Sequence, residues 1–178
     1  MHLNTLKKML IIFFSLMLVG CSTKNISLVP STDIKKNNNA VTVNVSGENI
    51  NPTVIEMLLR ELKGQLIIAG FELIDTTGGD NINLNVNVNE FSPGNAALRI
   101  TVGFGAGRGS LIYTAEYTDP RGQVLAKMDG QERFTGLEVS HNHKYGAMAT
   151  LGGEETATKV LVKEAALHIV ELSTGKTL

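Results

Sequence analysis

The sequence predicts an α+β fold with a mainly antiparallel sheet, in the order β-α-β-β-β-β-α, and two helices packed on one face. Three observations predict it: segments of strict apolar/polar alternation, two helix-length segments with an apolar stripe, and an Asp-Pro-Arg-Gly turn at 119–122. Hairpins join antiparallel neighbours, and two amphipathic helices need a shared apolar surface. We assign residues 1–20 to a signal peptide, 21–40 to a flexible tether and 41–178 to one domain.

The domain begins with a strand, a helix and a second strand. Residues 41–45 alternate between apolar and polar side chains. Asn51 is a suitable N-cap, Pro52 suits the first helical position, and Gly70 ends the helix. Residues 71–74 form a short strand. The core-facing stripe of the helix recurs every four residues: Val54, Leu58, Leu62 and Leu66, with Ile55 and Leu59 beside it.

Residues 81–89 alternate without a fault and predict a strand with two unlike faces. One face is apolar: Ile82, Leu84, Val86 and Val88. The other is amide: Asn81, Asn83, Asn85, Asn87 and Asn89. Because Asn is a poor strand former, burial of the apolar face under the helices must stabilise this strand. A shift of one residue would bury every Asn side chain, so the register is well defined.

The second half of the domain contains a hairpin, a long loop and a final helix. Residues 110–118 and 123–134 are the strands of the hairpin, and 135–153 is the loop. The helix covers 154 to about 172. The predicted inner faces are Leu111, Tyr113, Ala115 and Tyr117; Val124, Ala126 and Met128; and Leu161, Ala165, His168 and Leu172, flanked by Val162, Ala166 and Ile169.

The first 21 residues predict export and lipidation. Lys7 and Lys8 precede an apolar run at 9–19, which is too short for an ordinary membrane span and typical of a secretory signal. The run ends in Leu18-Val19-Gly20-Cys21, which resembles the lipobox of bacterial lipoproteins. That resemblance implies a diacylglyceryl group on Cys21 and cleavage before it. The alternative is a plain cleaved signal with an incidental cysteine.

Residues 22–40 are rich in Ser, Asn and Lys and predict a solvated tether, although its apolar residues could still pack. As a coil it would hold the domain about 25 Å from the lipid, and at most about 65 Å when stretched. Ser22 is not the Asp associated with retention in the inner membrane. We therefore expect a lipid-anchored protein of the outer membrane that faces the periplasm.

Composition excludes several classes of function. Without the signal, 14 Lys and Arg stand against 17 Asp and Glu, a net charge of −3, which argues against nucleic acid as a partner. Cys21 is the only cysteine, so its acylation would leave no thiol for disulfides, metal binding or catalysis. Trp is absent, which weakens any case for aromatic stacking on sugars or bases.

Glycines occupy alternate positions in one segment: Gly103, Gly105, Gly107 and Gly109. The context argues against a phosphate-binding loop, because such a loop needs a helix after it and here a strand follows. The segment is either an irregular loop, which we favour, or a seam at which another chain approaches closely. We therefore treat it as a candidate interaction or packing segment.

The remaining polar residues do not predict an active site, a metal or a cofactor. His141 and His143 could face one side of an extended segment, but the sequence shows no third ligand nearby. His168 fits the boundary of an apolar helix face. Glu154 and Glu155 suit a helix N-terminus. A nucleophile elbow of the type Gly-x-Ser-x-Gly is absent, and we expect no catalytic residues and no enzymatic activity.

Two motifs of the domain resemble a known family. They are similar to motifs of the bacterial lipoproteins catalogued as domain of unknown function 4410. The first is Ala97-Leu-Arg followed by Gly103-Phe-Gly-Ala-Gly107, and the second is Asp119-Pro-Arg-Gly-Gln-Val-Leu125 before a C-terminal helix. The likeness covers roughly residues 41–172. It implies a lipoprotein on the periplasmic side without established enzymatic activity. The element order is also similar to small α+β domains of envelope assembly lipoproteins, including that of the curli-secretion lipoprotein, which is an analogy of fold alone.

Together these observations predict a non-enzymatic binding or accessory module that is anchored in the membrane through Cys21. Its expected partner is another envelope protein. One alternative is a subunit of an oligomeric envelope or secretion assembly that uses Gly103–Gly109 as its seam. A second alternative, from another class, is a hydrolase of an envelope polymer, which would need a cleft with converging titratable groups.

Overall fold

The computed structural model describes residues 25–28, 34, 39–75, 80–101, 107–134 and 153–174, and the backbone alone at 25–28 and 100. Its described strands form one sheet of six in the order β1-β6-β5-β4-β2-β3. The strands are β1 (Asn25–Leu28), β2 (Ala40–Ser46), β3 (Glu72–Leu73), β4 (Ile82–Ser92), β5 (Gly109–Thr118) and β6 (Val124–Phe134). The helices are α1 (Pro52–Ile68), α2 (Ala96–Thr101) and α3 (Glu154–Ser173). The predicted α+β class is confirmed.

The sheet is mixed rather than purely antiparallel. β1, β6, β5 and β4 pair antiparallel in succession, whereas β2 pairs parallel with both β4 and β3. The parallel pairing of β2 with β3 follows from α1, because a helix between two strands returns the chain to the end where the first strand began. A hairpin signature at 119–122 predicted only the antiparallel part.

Both long helices pack on the same face of the sheet and against each other. The N-cap of α1 is Asn51, whose side chain accepts a hydrogen bond of 2.9 Å from the Thr53 N–H, and Pro52 occupies the first helical position. The predicted stripe of α1 and the predicted apolar face of β4 are buried. The core therefore lies between this face and the two helices.

The hairpin turn between β5 and β6 confirms its sequence signature. The Gly122 N–H donates to the Asp119 carbonyl at 3.0 Å, and the Asp119 carboxylate accepts from the N–H groups of Arg121 and Gln123 at 2.9 and 2.7 Å. Gly122 has φ +81°, a conformation that L side chains rarely adopt. The turn closes the far end of the longest antiparallel pair.

Part of the predicted tether belongs to the domain. Asn25–Leu28 forms β1, the edge strand beside β6, and Ile34 is buried in the core. The prediction of a flexible tether is therefore wrong for these residues, because unsatisfied backbone groups of β6 and unfilled core volume give the segment partners that its own composition does not reveal. The other residues of 21–40, apart from Asn39 and Ala40, lie outside the described residues.

A short helix, α2, was not predicted. It lies in the passage that the sequence marks as irregular through Pro93, Gly94 and Asn95. The Asn95 side chain accepts a hydrogen bond of 3.1 Å from the Leu98 N–H, as an N-cap does. Six residues are too few to show a helical period, so the sequence gives no signal for this helix.

Candidate functional site

The structure describes only some of the residues that the sequence singles out. Cys21, Gly103, Gly105, His141 and His143 lie outside the described residues. Most of the predicted loop, 135–152, lies outside them as well. Of the other candidates, Gly107 and Gly109 lie at one end of the sheet, Glu154 and Glu155 are in the first turn of α3, and His168 is half-buried on α3.

We call residues 93–101 and 107–109 the glycine corner, where β4 ends and β5 begins. The Asn95 N–H donates to the Gly107 carbonyl at 3.0 Å. Gly107 has φ +69°, and a Cβ atom on it would collide with the Asn95 carbonyl oxygen. Both the backbone conformation and a contact inside the chain thus require glycine at this position.

Gly109 is also packed by its own chain. A Cβ atom there would lie 3.0 Å from the Pro93 carbonyl oxygen and 3.2 Å from Leu161 Cδ1 of α3. The start of β5 therefore lies in close contact with Pro93 and with α3 at this glycine. For the two described glycines of the segment, the close neighbour is intramolecular.

Arg99 holds the glycine corner together. Its side chain is buried, at 8% exposure, and the Nη1 amino group donates to the carbonyls of Gly107 at 2.7 Å and Pro93 at 3.3 Å. The guanidinium also lies over the Phe134 ring, 5.1 Å from its centroid. A single cation thus connects the end of β4, the start of β5 and the end of β6. The arginine in Ala97-Leu-Arg was the available signal for this role.

The face of the sheet opposite the helices presents amide, hydroxyl and charged side chains from four strands, and we call it the polar face. Its members are Asn44, Ser46, Asn85, Asn87, Asn89, Thr114, Glu116, Lys127 and Asp129. Hydrogen bonds connect them across the strands: Ser46 to Asn87 at 3.2 Å, Asn89 to Thr114 at 3.2 Å, Thr114 to Asp129 at 2.9 Å, and Asn44 to Asn85 at 3.2 Å. Within β4, the Asn87 side-chain N–H donates to Asn89 Oδ1 at 2.6 Å. The predicted exposure of the Asn face is confirmed for Asn85, Asn87 and Asn89, whereas Asn81 and Asn83 are half-buried.

Charge on the polar face is limited and partly paired. Lys127 Nζ lies 3.4 Å from Glu116 Oε2, with both side chains partly exposed, so this ion pair adds little stability. Asp129 accepts from Thr114. The polar face therefore offers rows of donors and acceptors, not a strong electrostatic field.

A second polar group is buried between the sheet and α3, and we call it the tyrosine cluster. The Tyr113 hydroxyl donates to Glu132 Oε1 at 3.0 Å, and His168 Nδ1 lies 2.8 Å from the same oxygen. Glu132 is 6% exposed, so these two partners compensate the removal of its carboxylate from water. The prediction that His168 is a boundary histidine agrees with this position.

Glycine makes room for the tyrosine cluster. Tyr113 is paired with Gly130 across β5 and β6, and a Cβ atom on Gly130 would collide with the hydroxyl end of the Tyr113 ring. Burial, then the Glu132 charge and the hydrogen bond to Glu132, raise the pKa of Tyr113 far above its ordinary value. Burial likewise raises the pKa of Tyr117, whose hydroxyl donates to the Ile169 carbonyl at 3.2 Å. Both phenols stay protonated and act as structural donors.

The described part of the chain contains neither a candidate metal site nor a helix that could span a membrane. Its His, Cys, Asp and Glu side chains form no group of three that could hold a metal ion. None of its helices is long and apolar enough to cross a membrane.

The sequence profile of one family, Domain of unknown function (DUF4410), matches residues 26–135, more than half of the chain. The chain belongs to this family. The DUF4410 match runs from β1 to just beyond β6 and includes the glycine corner and the hairpin turn. It therefore begins inside the predicted tether, as the sheet does, and ends before α3. None of the curated proteins matches the chain.

Solved structures similar to this DUF4410 chain have low sequence identity to it. The PelC dodecamer from Paraburkholderia phytofirmans has a TM-score of 0.50 at 10% identity, covering 88% of this chain and 100% of that chain. A variant of the same protein has 0.48 at 13% identity, with the same coverage. A minor lipoprotein from Acinetobacter baumannii has 0.39 at 11% identity, covering 77% of this chain and 94% of that chain. At this identity the first likeness shows the fold alone.

Proposed function

We propose that this chain is a lipoprotein of the bacterial envelope, anchored through Cys21, whose domain binds another envelope protein without catalysing a reaction. The Leu18–Cys21 motif after a basic and apolar leader supports the anchor. Ser22 supports the outer membrane as its site, with the domain on the periplasmic side.

The observation that favours binding is the polar face. The four asparagines of β4, at 83, 85, 87 and 89, do not help the strand to form, since Asn is a poor strand former and the core contacts come from the other face. Amides present a donor and an acceptor each, held in position by cross-strand hydrogen bonds. Such a surface suits hydrogen bonding to the polar surface of a partner protein.

The titratable side chains of the tyrosine cluster support a binding role over catalysis. Tyr113 and His168 both use Glu132 Oε1 as their partner inside the domain. The high pKa of Tyr113 keeps its proton on the hydroxyl, which suits a structural donor and not a general base.

The anchor is tested by Cys21→Ser. We expect the signal to stay uncleaved or the protein to be released from the membrane, because two or more acyl chains are needed for stable anchoring. Mass spectrometry of the native protein should find an acylated N-terminus at Cys21. An unmodified mature N-terminus elsewhere would contradict the anchor.

The binding role is tested by in-cell crosslinking from a photoreactive residue at position 85, on the polar face. The matched control places the same residue at Gly64, which is exposed on α1 on the opposite side of the domain. We expect one discrete crosslinked protein from position 85, reduced at least several-fold by Asn87→Arg. Equal crosslinking from both positions would show that the polar face is not the binding surface.

A second candidate is a subunit of an oligomeric envelope assembly. The PelC protein with the same fold is a dodecamer, which favours this candidate. Sedimentation of detergent-extracted protein should then give one discrete oligomer. Gly105→Ala, measured for both melting temperature and mass, tests whether the glycine segment forms the seam. A seam predicts loss of mass with an unchanged melting temperature.

A further inference from the structure

The position of β1 determines how far the domain can stand from a lipid anchor. Cys21 precedes Asn25, the first residue of β1, by four residues. Four residues span at most about 14 Å when fully extended. A 20-residue tether would have reached about 65 Å. The first residue of β1 is thus held within about 14 Å of an acylated Cys21, and one surface of the domain must face the bilayer.

The register of β1 indicates which surface this is. Asn25 lies opposite Asp129 and Leu28 opposite Ala126, so β1 runs towards the hairpin turn at 119–122. The chain before Asn25 therefore enters from the end of the sheet at which β6 finishes. From Asp129 to Phe134 is about 17 Å along the strand, close to the reach of four extended residues.

The glycine corner lies at this same end. Gly109 pairs with Phe134, and the Arg99 guanidinium lies over the Phe134 ring. The corner exposes Leu98, at 45%, and Arg108. Among the described residues, the other large exposed hydrophobic side chains are Ile67 and Ile68, which end α1 at the opposite end of the sheet.

We propose that the glycine corner is a membrane-docking surface, which the anchor holds against the lipid headgroups. Leu98 enters the boundary between headgroups and acyl chains, and the Arg108 guanidinium lies among lipid phosphates. Ile67 and Ile68 then face away from the bilayer. This inference rests on the lipid anchor of the proposed function. The short chain between Cys21 and β1 selects a bilayer over a second protein as the occupant.

The test uses the acylated full chain in liposomes. Because Cys21 is the only cysteine and is acylated, Leu98→Cys and Ile68→Cys each introduce a single reactive thiol. Each thiol is labelled with the same fluorophore, and the liposomes contain lipids with a nitroxide on the headgroup. We expect at least a threefold larger quenching at position 98 than at position 68. Equal quenching would overturn the proposal.

A spacer variant supplies the matched control. Ten Gly and Ser residues inserted between Lys24 and Asn25 lengthen the connection while the anchor remains. We expect quenching at position 98 to fall towards that at position 68, although the protein still sediments with liposomes. If quenching at position 98 is unchanged, the short connection does not orient the domain, and that inference fails.

Two further results separate this inference from the proposed function. Protein that does not sediment with liposomes lacks the anchor, so the proposed function and the orientation both fail. Sedimenting protein whose label at position 98 is unquenched, and crosslinks to a second copy, shows that the corner is a protein interface. In that case the orientation fails and the anchor stands.

Discussion

Gly130 has no side chain, and this leaves room in the core for the Tyr113 ring. The Tyr113 ring occupies the volume above Gly130, and its hydroxyl reaches Glu132 from there. With any Cβ at position 130, the ring would have to leave this volume. The Glu132 carboxylate would then lose one of its two partners in a buried position, where a lost hydrogen bond to a charge is costly. Gly130 therefore affects both the packing of the Tyr113 ring and the hydrogen bonding of the Glu132 carboxylate.

We predict that Gly130→Ala lowers the free energy of unfolding by about 1–3 kcal/mol, as overpacking does. The matched control is Gly64→Ala in α1, where a new Cβ meets nothing within 4 Å. There we expect a gain of about 0.5–1 kcal/mol, because alanine is the better helix former. Urea denaturation of both variants measures the difference. Effects of the same sign would contradict the structure at position 130.

The buried tyrosines predict a loss of stability at alkaline pH. Burial raises the pKa of Tyr117, so the folded state keeps the proton at a pH where the unfolded chain, with a tyrosine pKa near 10, has released it. The stability that depends on this proton is complete below about pH 10 and decreases as the pH rises above it. Tyr113 acts in the same direction.

Tyr117→Phe should therefore make the decrease in unfolding free energy between about pH 9 and about pH 11 less steep. At neutral pH the variant loses one hydrogen bond, worth about 1 kcal/mol. Denaturation curves across this pH range measure both effects. A decrease as steep as that of the native chain would show that Tyr117 ionises as easily in the folded state as in the unfolded one.

At the scale of elements, β4 depends on the contrast between its two faces. Val86 is 1% exposed under the helices, whereas Asn85 beside it is exposed on the polar face. We predict that Val86→Asp costs at least about 4 kcal/mol and unfolds the domain, because it buries an unpaired charge. Asn85→Lys, which places a cation opposite Glu116, should change stability by no more than about 0.5 kcal/mol. Thermal melting of the two variants measures this contrast, and equal melting temperatures would refute the assignment of faces.

Elements with a sustained period were predictable from the sequence. The stripe of α1, the alternation of β4 and the turn at 119–122 each repeat a local pattern that one physical environment explains. β1 and α2 were missed because they are too short for a period. β1 depends on a partner distant in sequence, the edge of β6, and α2 is held by the hydrogen bond from its own Arg99 to the Gly107 carbonyl.

The tyrosine cluster was beyond sequence reasoning for a different reason. A two-residue loop at 120–121 would place Tyr113 opposite Met128. In the structure Thr118 pairs with Val124, one residue beyond the register of a two-residue loop. An irregularity between Tyr117 and Thr118 shifts the register by one more residue, so Tyr113 pairs with Gly130. Such a bulge has no reliable sequence signal, so the contact between Tyr113 and Glu132 could not be predicted. The sequence was thus sufficient to predict which face of β5 or β6 a residue occupies, but not which residue it pairs with on the neighbouring strand.

At the scale of the whole molecule, β1 joins three properties of the chain. It covers the outer edge of β6 at residues 126–129, it brings the N-terminal connection next to the glycine corner, and all of it but Asn25 lies within the family match. β6 is 11 residues long, and an exposed edge of that length is a template for pairing with other chains. The segment expected to be a tether therefore protects the sheet.

Replacing residues 25–28 with Gly and Ser should consequently destabilise the domain and cause copies of it to associate with one another. We expect a melting temperature lower by several degrees, since a loss of about 1 kcal/mol shifts it by about 2–8 °C. Sedimentation should show more association with rising concentration, because the β6 edge is free to pair. Both variants are studied as unacylated Cys21→Ser protein, so that lipid-driven association does not interfere.

The control replaces residues 22–24 in the same way, which keeps both the length of the chain and β1. This control should melt and sediment like the parent protein. If replacement of 25–28 also changes nothing, β1 does not contribute to the sheet in solution. The domain would then stand on a longer connection, and the orientation at the membrane proposed above would lose its basis together with the protection of β6.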